Sequence, residues 1–198
     1  FYDHVETDIN SWHFYINDYE RAKNHIANVV ANTYPGSNFN FKGENVQGTQ
    51  PLINSEYGGI SAGLGDQDIS WCFKYLTNEL RKYAKIGGYI YTELQDIEWE
   101  HNGFMDYDRL EKDFGYQDVC PGFSYRDLNN PNFIVIDSEP CPSVSPAQVF
   151  SVRVYGSLFS SDEPIAGRLA WRLTGLNMFG DRKEYLHDDV PAILQPYD

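Results

Sequence analysis

The chain has few cysteines and few basic side chains for its length. Its 198 residues include 15 lysines and arginines against 29 aspartates and glutamates, which gives a net charge of −14. Nucleic acids and anionic membrane surfaces are bound by basic protein faces, so this acidic balance excludes both as expected partners. No apolar run reaches the ~18–20 residues that a membrane span needs, and we therefore predict no membrane span.

The three cysteines, Cys72, Cys120 and Cys141, have no CxxC spacing, so a zinc site is not predicted. Cys72 falls in a helical pattern and is interpreted as a small buried apolar residue, whereas pairing of Cys120 with Cys141 stays open. The chain opens without a start methionine and without a signal peptide. We interpret it as an internal piece or a processed form of a longer protein.

Aromatic side chains are abundant, with 15 Tyr, 12 Phe and 4 Trp. Together with a hydrophobic content of 41%, they can fill the core of one large domain or of one and a half small ones. The same side chains would also suit a surface that stacks on sugar rings. Composition alone does not separate these two roles.

The first half of the chain alternates apolar runs with helical patterns. In chain order, the predicted elements are a strand at 9–16, a helix at 19–32, a strand at 51–56, a second helix, and a strand at 88–94. Asp18 is the predicted N-cap of the first helix, and Asp66 or Asp68 is that of the second. Strands that alternate with helices predict a parallel sheet.

The character of the sequence changes after Val119, where proline becomes frequent. Farther on, 149–155 and 168–173 alternate apolar and polar residues with a period of two. That period predicts an antiparallel, half-exposed sheet. We therefore divide the chain into a first domain over 1–120 and a linker with a β-sandwich segment over 121–198.

Polar side chains gather at the ends of the three predicted strands: His13, Tyr15, Asn54, Glu56, Thr92 and Glu93. In barrels of alternating strands and helices, the carboxyl ends of the strands meet at the catalytic rim. Glu56 is the single charge in its strand and stands just before Gly58 and Gly59. A nucleophilic carboxylate needs a donor that keeps it ionised, and the Tyr15 hydroxyl on the next strand suits this role. The alternative for Glu56 is a carboxylate that caps the following turn.

Other candidate residues each have a simpler structural interpretation. His13 shares a face with Tyr15, but a lone histidine in a buried strand is more often satisfied within the core. Trp99, in the loop after the third strand, suits packing on top of the sheet and stacking on a sugar ring equally well. The acidic loop that holds Trp99, between Gln95 and Gly103, matches no known cation-binding spacing. We interpret it as a solvated surface and predict no metal ligand.

Three segments together carry a family resemblance: Asn10-Ser-Trp-His-Phe-Tyr15, Leu52-Ile-Asn-Ser-Glu-Tyr-Gly-Gly-Ile60, and Tyr89-Ile-Tyr-Thr-Glu-Leu-Gln-Asp96 with Asn102-Gly-Phe-Met-Asp-Tyr-Asp-Arg109. Their order and spacing resemble glycoside hydrolase family 2, which includes bacterial β-galactosidases, β-glucuronidases and β-mannosidases. The resemblance covers about 5–117. It implies an α/β fold made of the C-terminal three βα units of a (β/α)8 TIM barrel, followed by an all-β, sandwich-like segment.

The same resemblance implies a retaining glycosidase in which Glu56 is the nucleophile. The residues that it and the strand-end positions nominate for substrate binding are His13, Tyr15, Asn54, Tyr91, Glu93 and Trp99. In this family the acid/base glutamate follows an asparagine at the end of the fourth barrel strand. No matching segment is present, so the acid/base residue is expected upstream of this chain.

Related β-glucuronidases hold the sugar carboxylate with a lysine, whereas Glu100, His101 and Asn102 stand at those positions here. An acidic loop would repel a uronic acid, so the predicted substrate is a terminal β-linked neutral sugar such as galactose or mannose. No organic cofactor is expected, and Mg²⁺ or Na⁺ is implied by the family resemblance only. A homo-oligomer and a periplasmic or secreted location are further predictions. The competing hypotheses are a non-catalytic carbohydrate-binding protein with a degenerate barrel and a structural β-sandwich scaffold.

Overall fold

A computed structural model of the protein describes residues 3–59 and 70–196. Its contacts divide the chain into two units, the first made of Phe1–Asn130 and Val135–Tyr155 and the second made of Pro131–Ile134 and Gly156–Asp198. The N-cap predicted at Asp66 or Asp68 lies outside the described residues.

Three strands of the first unit pair in parallel, in the spatial order β1-β2-β3. In chain order the elements are β1 (Asn10–Tyr15), α1 (Tyr19–Asn32), β2 (Leu52–Gly58), α2 (Ser70–Arg81) and β3 (Ile86–Tyr91). Parallel neighbours need a long crossover connection, and the two helices lie on those connections. The predicted parallel pairing of the three strands is confirmed.

The first helix begins and ends where local sequence signals place it. The Asp18 carboxylate accepts a hydrogen bond from the Arg21 backbone N–H at 2.7 Å, which satisfies one of the free donors of the first turn. Ala22, Ile26 and Val29 form the buried stripe that attaches α1 to the sheet. Asp18 is therefore the N-cap, as predicted.

Only one face of the parallel sheet is covered by the helices. The covered face includes Trp12, Phe14, Leu52 and Tyr57, all at most 5% exposed. The Phe14 ring lies 5.1 Å from the His25 ring of α1, and the Tyr57 hydroxyl lies 2.6 Å from the Thr77 hydroxyl of α2. We call the opposite side the open face; it includes the partly exposed side chains of Ser11, His13, Tyr15, Ile53 and Ile90.

The prediction of three βα units from a (β/α)8 TIM barrel is wrong. In the described residues only β1 and β2 are followed by an α-helix of more than one turn, because the helix after β3 is the four-residue α3 (Tyr116–Val119). No further described strand pairs with β1 or β3, so the sheet stays open at both edges. Barrel sheets are buried on both faces, whereas Ile90 on the open face is 58% exposed. Local alternation of strands and helices predicts parallel pairing but does not determine closure.

Strands also dominate the chain after residue 130. They are β4 (Asn132–Asp137), β5 (Arg153–Leu158), β6 (Ile165–Leu176) and β7 (Arg182–Leu194), and a short 3₁₀ helix at Tyr125–Asn129 precedes them. β4 pairs with β5, and β6 pairs with β7 in antiparallel register. These four strands agree with the all-β character predicted for this segment.

The cysteines differ in burial. Cys72 is buried in α2, where desolvation raises the pKa of its thiol to about 12, so it is a small apolar core residue as predicted. Cys120 and Cys141 are exposed and form no disulfide.

Among the helices of the described ranges, none has the length and apolar content that crossing a bilayer requires.

Gly59 allows the end of β2 to approach α2 closely. A Cβ at this position would lie 1.7 Å from Cys72 Sγ and 2.9 Å from Cys72 Cβ. We expect Gly59→Ala to lower the free energy of unfolding by about 1–3 kcal/mol, the usual cost of overpacking a core, measured by urea unfolding. Cys72→Ala in the same chain should restore part of the loss, because it removes the closer atom.

Gly88→Ala is the matched control for this substitution. Its added Cβ would meet Ile53 Cγ2 at 3.9 Å, an ordinary contact, so the unfolding midpoint should move little. Equal losses from Gly59→Ala and Gly88→Ala would contradict the close approach.

Candidate functional site

Glu56 lies at the carboxyl end of β2, next to the end of β1. The Tyr15 hydroxyl donates a hydrogen bond to Glu56 Oε1 at 2.5 Å. Both side chains are partly buried, and His13 is the register partner of Glu56 across the two strands. A bond this short is typical of a neutral hydroxyl that donates to an ionised carboxylate.

A β-bulge sets the side of the sheet on which Glu56 lies. Trp12 pairs with Asn54 and His13 pairs with Glu56, so Ser55 is an extra residue in β2. Leu52, Asn54 and Tyr57 are buried on the covered face, and the step from Asn54 to Tyr57 is three residues instead of two. Without the extra residue, strict alternation would bury Glu56 on the covered face. The bulge therefore brings Glu56 to the side on which Tyr15 lies.

Two side-chain donors hold the bulge in place. The Asn54 amide donates to the Trp12 carbonyl oxygen at 3.1 Å, and the Ser55 hydroxyl donates to the same oxygen at 3.2 Å. The ladder is disrupted at this position, and these two bonds tie the bulged residues of β2 to the backbone of β1. The carboxylate of Glu56 is thus carried by a fixed backbone.

The Tyr15 phenol stays protonated over the physiological range. Burial raises its pKa above the ordinary value, and the hydrogen bond to Glu56 raises it further, while the Thr92 side chain has a smaller, opposite effect. Tyr15 is therefore a permanent proton donor to the carboxylate. Its hydroxyl joins the end of β1 to the carboxylate near the end of β2.

The end of β3 contributes Thr92 and Glu93. The Thr92 backbone N–H donates to the Tyr57 carbonyl at 3.2 Å, which extends the sheet by one bond past the end of β3. Glu93 Oε1 is buried and has no hydrogen-bond partner among the described residues. Burial raises the pKa of the Glu93 carboxyl, and the negative charges of Glu100 and Asp96 raise it further. Both effects favour the protonated form of the Glu93 carboxyl.

The loop after β3 is more ordered than an acidic, solvated loop would be. Asp96 is only 4% exposed, and its Oδ1 accepts from Lys112 Nζ at 2.7 Å and from the Gly103 backbone N–H at 2.9 Å. A Cβ on Gly103 would lie 2.4 Å from the Asp96 backbone nitrogen, so the two chain segments are in direct backbone contact. The interpretation of this loop as a solvated surface is therefore wrong for Asp96. Its spacing from Lys112, 16 positions along the chain, gave no local signal of the pair.

The other predicted substrate contacts lie in different surroundings. Asn54 is fully buried on the covered face. Tyr91 packs against Phe73 of α2 with ring centroids 4.9 Å apart, and its hydroxyl donates to the Asn102 carbonyl at 2.8 Å. Trp99 is 59% exposed in a turn of the loop. The structure thus brings Tyr15 and Glu56 together, and it places Asn54 and Tyr91 on the other side of the sheet.

No group of three or more histidine, cysteine, aspartate or glutamate side chains is arranged to hold a metal ion within 3–59 and 70–196. No protein-family model and no curated protein sequence matches the chain. Functional inference therefore rests on the chemistry of Glu56 and the side chains around it.

Proposed function

We propose that the protein acts as a retaining β-glycosidase with Glu56 as the nucleophile. The observation that carries this proposal is the 2.5 Å hydrogen bond from Tyr15 to Glu56 Oε1 at the carboxyl end of a parallel strand. A carboxylate that attacks an anomeric carbon must be ionised and held in one orientation, and a protonated phenol that donates to one oxygen serves both needs. The resemblance of this segment to glycoside hydrolase family 2 supports the same role.

In the proposed reaction, the free oxygen of Glu56 attacks the anomeric carbon of the sugar. A bond forms between that oxygen and the carbon, and the bond from the carbon to the leaving oxygen breaks, with its electron pair going to the leaving oxygen. A second carboxyl group gives that oxygen a proton and then removes one from the water that releases the sugar. Tyr15 keeps its proton throughout and holds Glu56 Oε1.

Charge around the site favours a neutral sugar as the substrate. The negative charge of Glu100 raises the pKa of the Glu93 carboxyl, and the chain carries a net charge of −14. A uronic acid would add a further negative charge to these surroundings without a described cationic partner other than Lys112, which is already paired with Asp96.

The test is covalent trapping with 2,4-dinitrophenyl 2-deoxy-2-fluoro-β-glycosides of galactose and mannose. Dinitrophenolate leaves without a proton donor, so the trapping step needs only the nucleophile. We expect the intact mass to rise by one fluorosugar and the label to map to the peptide that contains Glu56. Glu56→Gln is the control and should take no label.

Two results would contradict this proposal. Labelling of a different carboxylate would assign the nucleophile elsewhere. Measurable sugar binding by the wild type, with neither label nor hydrolysis, would indicate a carbohydrate-binding protein instead of an enzyme.

A further inference from the structure

We infer that the β6–β7 hairpin is a self-association surface, on which a second copy of this chain packs face to face to form a two-fold dimer. The two strands make a two-stranded antiparallel sheet, and no other strand of the described residues pairs with either of them. A lone hairpin is at best marginally stable in water, and an apolar sheet face needs a second layer to cover it. The inference gives the predicted homo-oligomer a location, and it does not depend on the chemistry of Glu56.

One side of this hairpin is apolar. Residues that lie opposite each other in an antiparallel pair share a side, so 165, 167, 169, 171 and 173 of β6 lie on the same side as 194, 192, 190, 188 and 186 of β7. We call this side the ribbon face, and its large apolar side chains include Ile165, Leu169, Trp171, Leu173, Leu186 and Val190. Asp188 is the one charged residue on it. The opposite side carries Arg168, Arg172, His187 and Asp189.

The ribbon face is not covered within the described chain. Trp171 is 49% exposed, Leu173 is 52% exposed and Leu186 is 59% exposed. Two strands paired over nine residues present a face about 30 Å long and roughly 12 Å wide, and apolar surfaces of this size mark interaction sites. Two such faces in contact would bury roughly 700–900 Å², which is less than a standard interface, so we expect a weak and reversible dimer.

Charge favours a second copy as the occupant of the ribbon face. Residues 165–194 include four basic and four acidic side chains, whereas the rest of the chain has 11 basic and 25 acidic ones. Two copies therefore repel each other through most of their charges, and the hairpin is a segment through which they can approach without net repulsion. A neutral, mostly apolar face also has no electrostatic attraction for a strongly basic or strongly acidic partner.

The order of side chains along β6 complements its own reversal. A two-fold axis that crosses the strands at the Leu169–Val190 pair would place position 171 of one copy over position 167 of the other. Trp171 is the largest side chain on the ribbon face, whereas a Cβ added to Gly167 would meet no atom within 4 Å. Each Trp171 would thus fill the hollow at the partner's Gly167, at the ~10 Å separation of packed sheets.

The experiment is sedimentation velocity of the whole protein over a wide range of concentrations. We expect the mass to rise reversibly from the 22.8 kDa of one chain to twice that value. Gly167→Trp should abolish the dimer, because it sets tryptophan against tryptophan at both contacts. Trp171→Ala should weaken association at least about tenfold, since it empties both hollows. An equal mixture of these two variants should dimerise again, because one copy then supplies both tryptophans and the other supplies both hollows.

A matched pair of charge substitutions separates the two sides of the hairpin. Leu173→Glu places a charge on the ribbon face and should abolish the dimer. Ile193→Glu places the same charge on the opposite side, at a residue that is also exposed, and should leave the dimer unchanged. Because both positions are exposed, neither substitution disturbs a packed core.

Three results would overturn the inference. The first is a wild-type protein that stays monomeric up to about 300 µM, above the dissociation constants of weak, small interfaces. The second is a dimer that tolerates Gly167→Trp and Leu173→Glu, as pairing through a strand edge would. The third is a mixture of Gly167→Trp and Trp171→Ala that remains monomeric. None of these measurements uses a sugar, so they are independent of the trapping experiment on Glu56.

Discussion

Replacing Glu56 by glycine is expected to lower the hydrolysis of a dinitrophenyl β-glycoside at least about 10³-fold, because removal of a catalytic nucleophile abolishes the covalent route. Azide should restore part of the rate by occupying the space that the carboxylate leaves. Since azide attacks from the face that Glu56 would use, the product should be the α-glycosyl azide. Release of dinitrophenolate and the configuration of the azide, by NMR, are the two measurements.

Two further variants make the test of Glu56 specific. Glu56→Gln should lose as much activity as Glu56→Gly without rescue, since the amide fills the space that azide needs. Glu44→Gly removes an exposed carboxylate from the loop between α1 and β2 and should leave turnover unchanged. Rescue that yields the β-glycosyl azide, or activity in Glu56→Gly close to that of the wild type, would rule out Glu56 as the nucleophile.

Lys82→Met is expected to have the largest effect on stability. Lys82 Nζ lies 2.6 Å from Asp137 Oδ1 and 3.1 Å from Glu79 Oε1, and the Glu79 side chain is only 2% exposed. Removing the cation leaves a buried carboxylate without its charged partner. The usual cost of breaking such a pair is about 3–5 kcal/mol, and denaturant unfolding at neutral pH measures it.

The loss caused by Lys82→Met should depend on pH with a definite sign. Burial raises the pKa of Glu79, and Lys82 lowers it; without Lys82 the folded state holds the Glu79 proton even more readily than the unfolded state. The destabilisation from Glu79 is therefore absent below its unfolded pKa of about 4.5, grows as the pH rises above that value, and is largest above the raised pKa of the folded state. Lys82 also lowers the pKa of Asp137, a stabilisation present above about 3.8 and lost as the pH falls. Both effects make the deficit of the variant shrink on acidification.

Lys23→Met is the matched control for this experiment. Lys23 Nζ lies 3.9 Å from the same Asp137 oxygen, but its side chain is 50% exposed. An exposed pair of this kind contributes at most about 1 kcal/mol, so its removal should cost little at any pH. A deficit in Lys82→Met that is no larger than that of Lys23→Met, or that grows on acidification, would contradict the buried network.

Local sequence signals locate the elements of the first unit, whereas the arrangement of those elements depends on longer-range contacts. The helix predicted at 19–32 matches α1. Both signals that define it, the aspartate N-cap and the apolar stripe, lie within 15 consecutive residues of the sequence. The strand predicted at 88–94 lies two to three residues too far along, since β3 is Ile86–Tyr91. The prediction of a closed barrel was wrong. Closure requires further strands to pair with β1 and β3, and no local sequence pattern indicates whether such pairing occurs.

The site shows the same division between local and long-range information. The neighbouring strands suggest that Tyr15 can reach Glu56, and their hydrogen bond is present. The pairing of Asp96 with Lys112 depends on the path of the loop after β3. Such contacts follow from the fold, so they become visible only in the structure.

The extra residue in β2 makes the length of this strand unusually intolerant of change. Loss or gain of one residue between Leu52 and Glu56 would turn the carboxylate toward the helices, although every chemical group would still be present in the sequence. Homologues that align here without a gap can therefore share the site, and those with a single-residue deletion cannot. A deletion that removed the bulge from β2, made to give the sheet a regular ladder, would therefore inactivate the site while leaving Glu56 in the sequence.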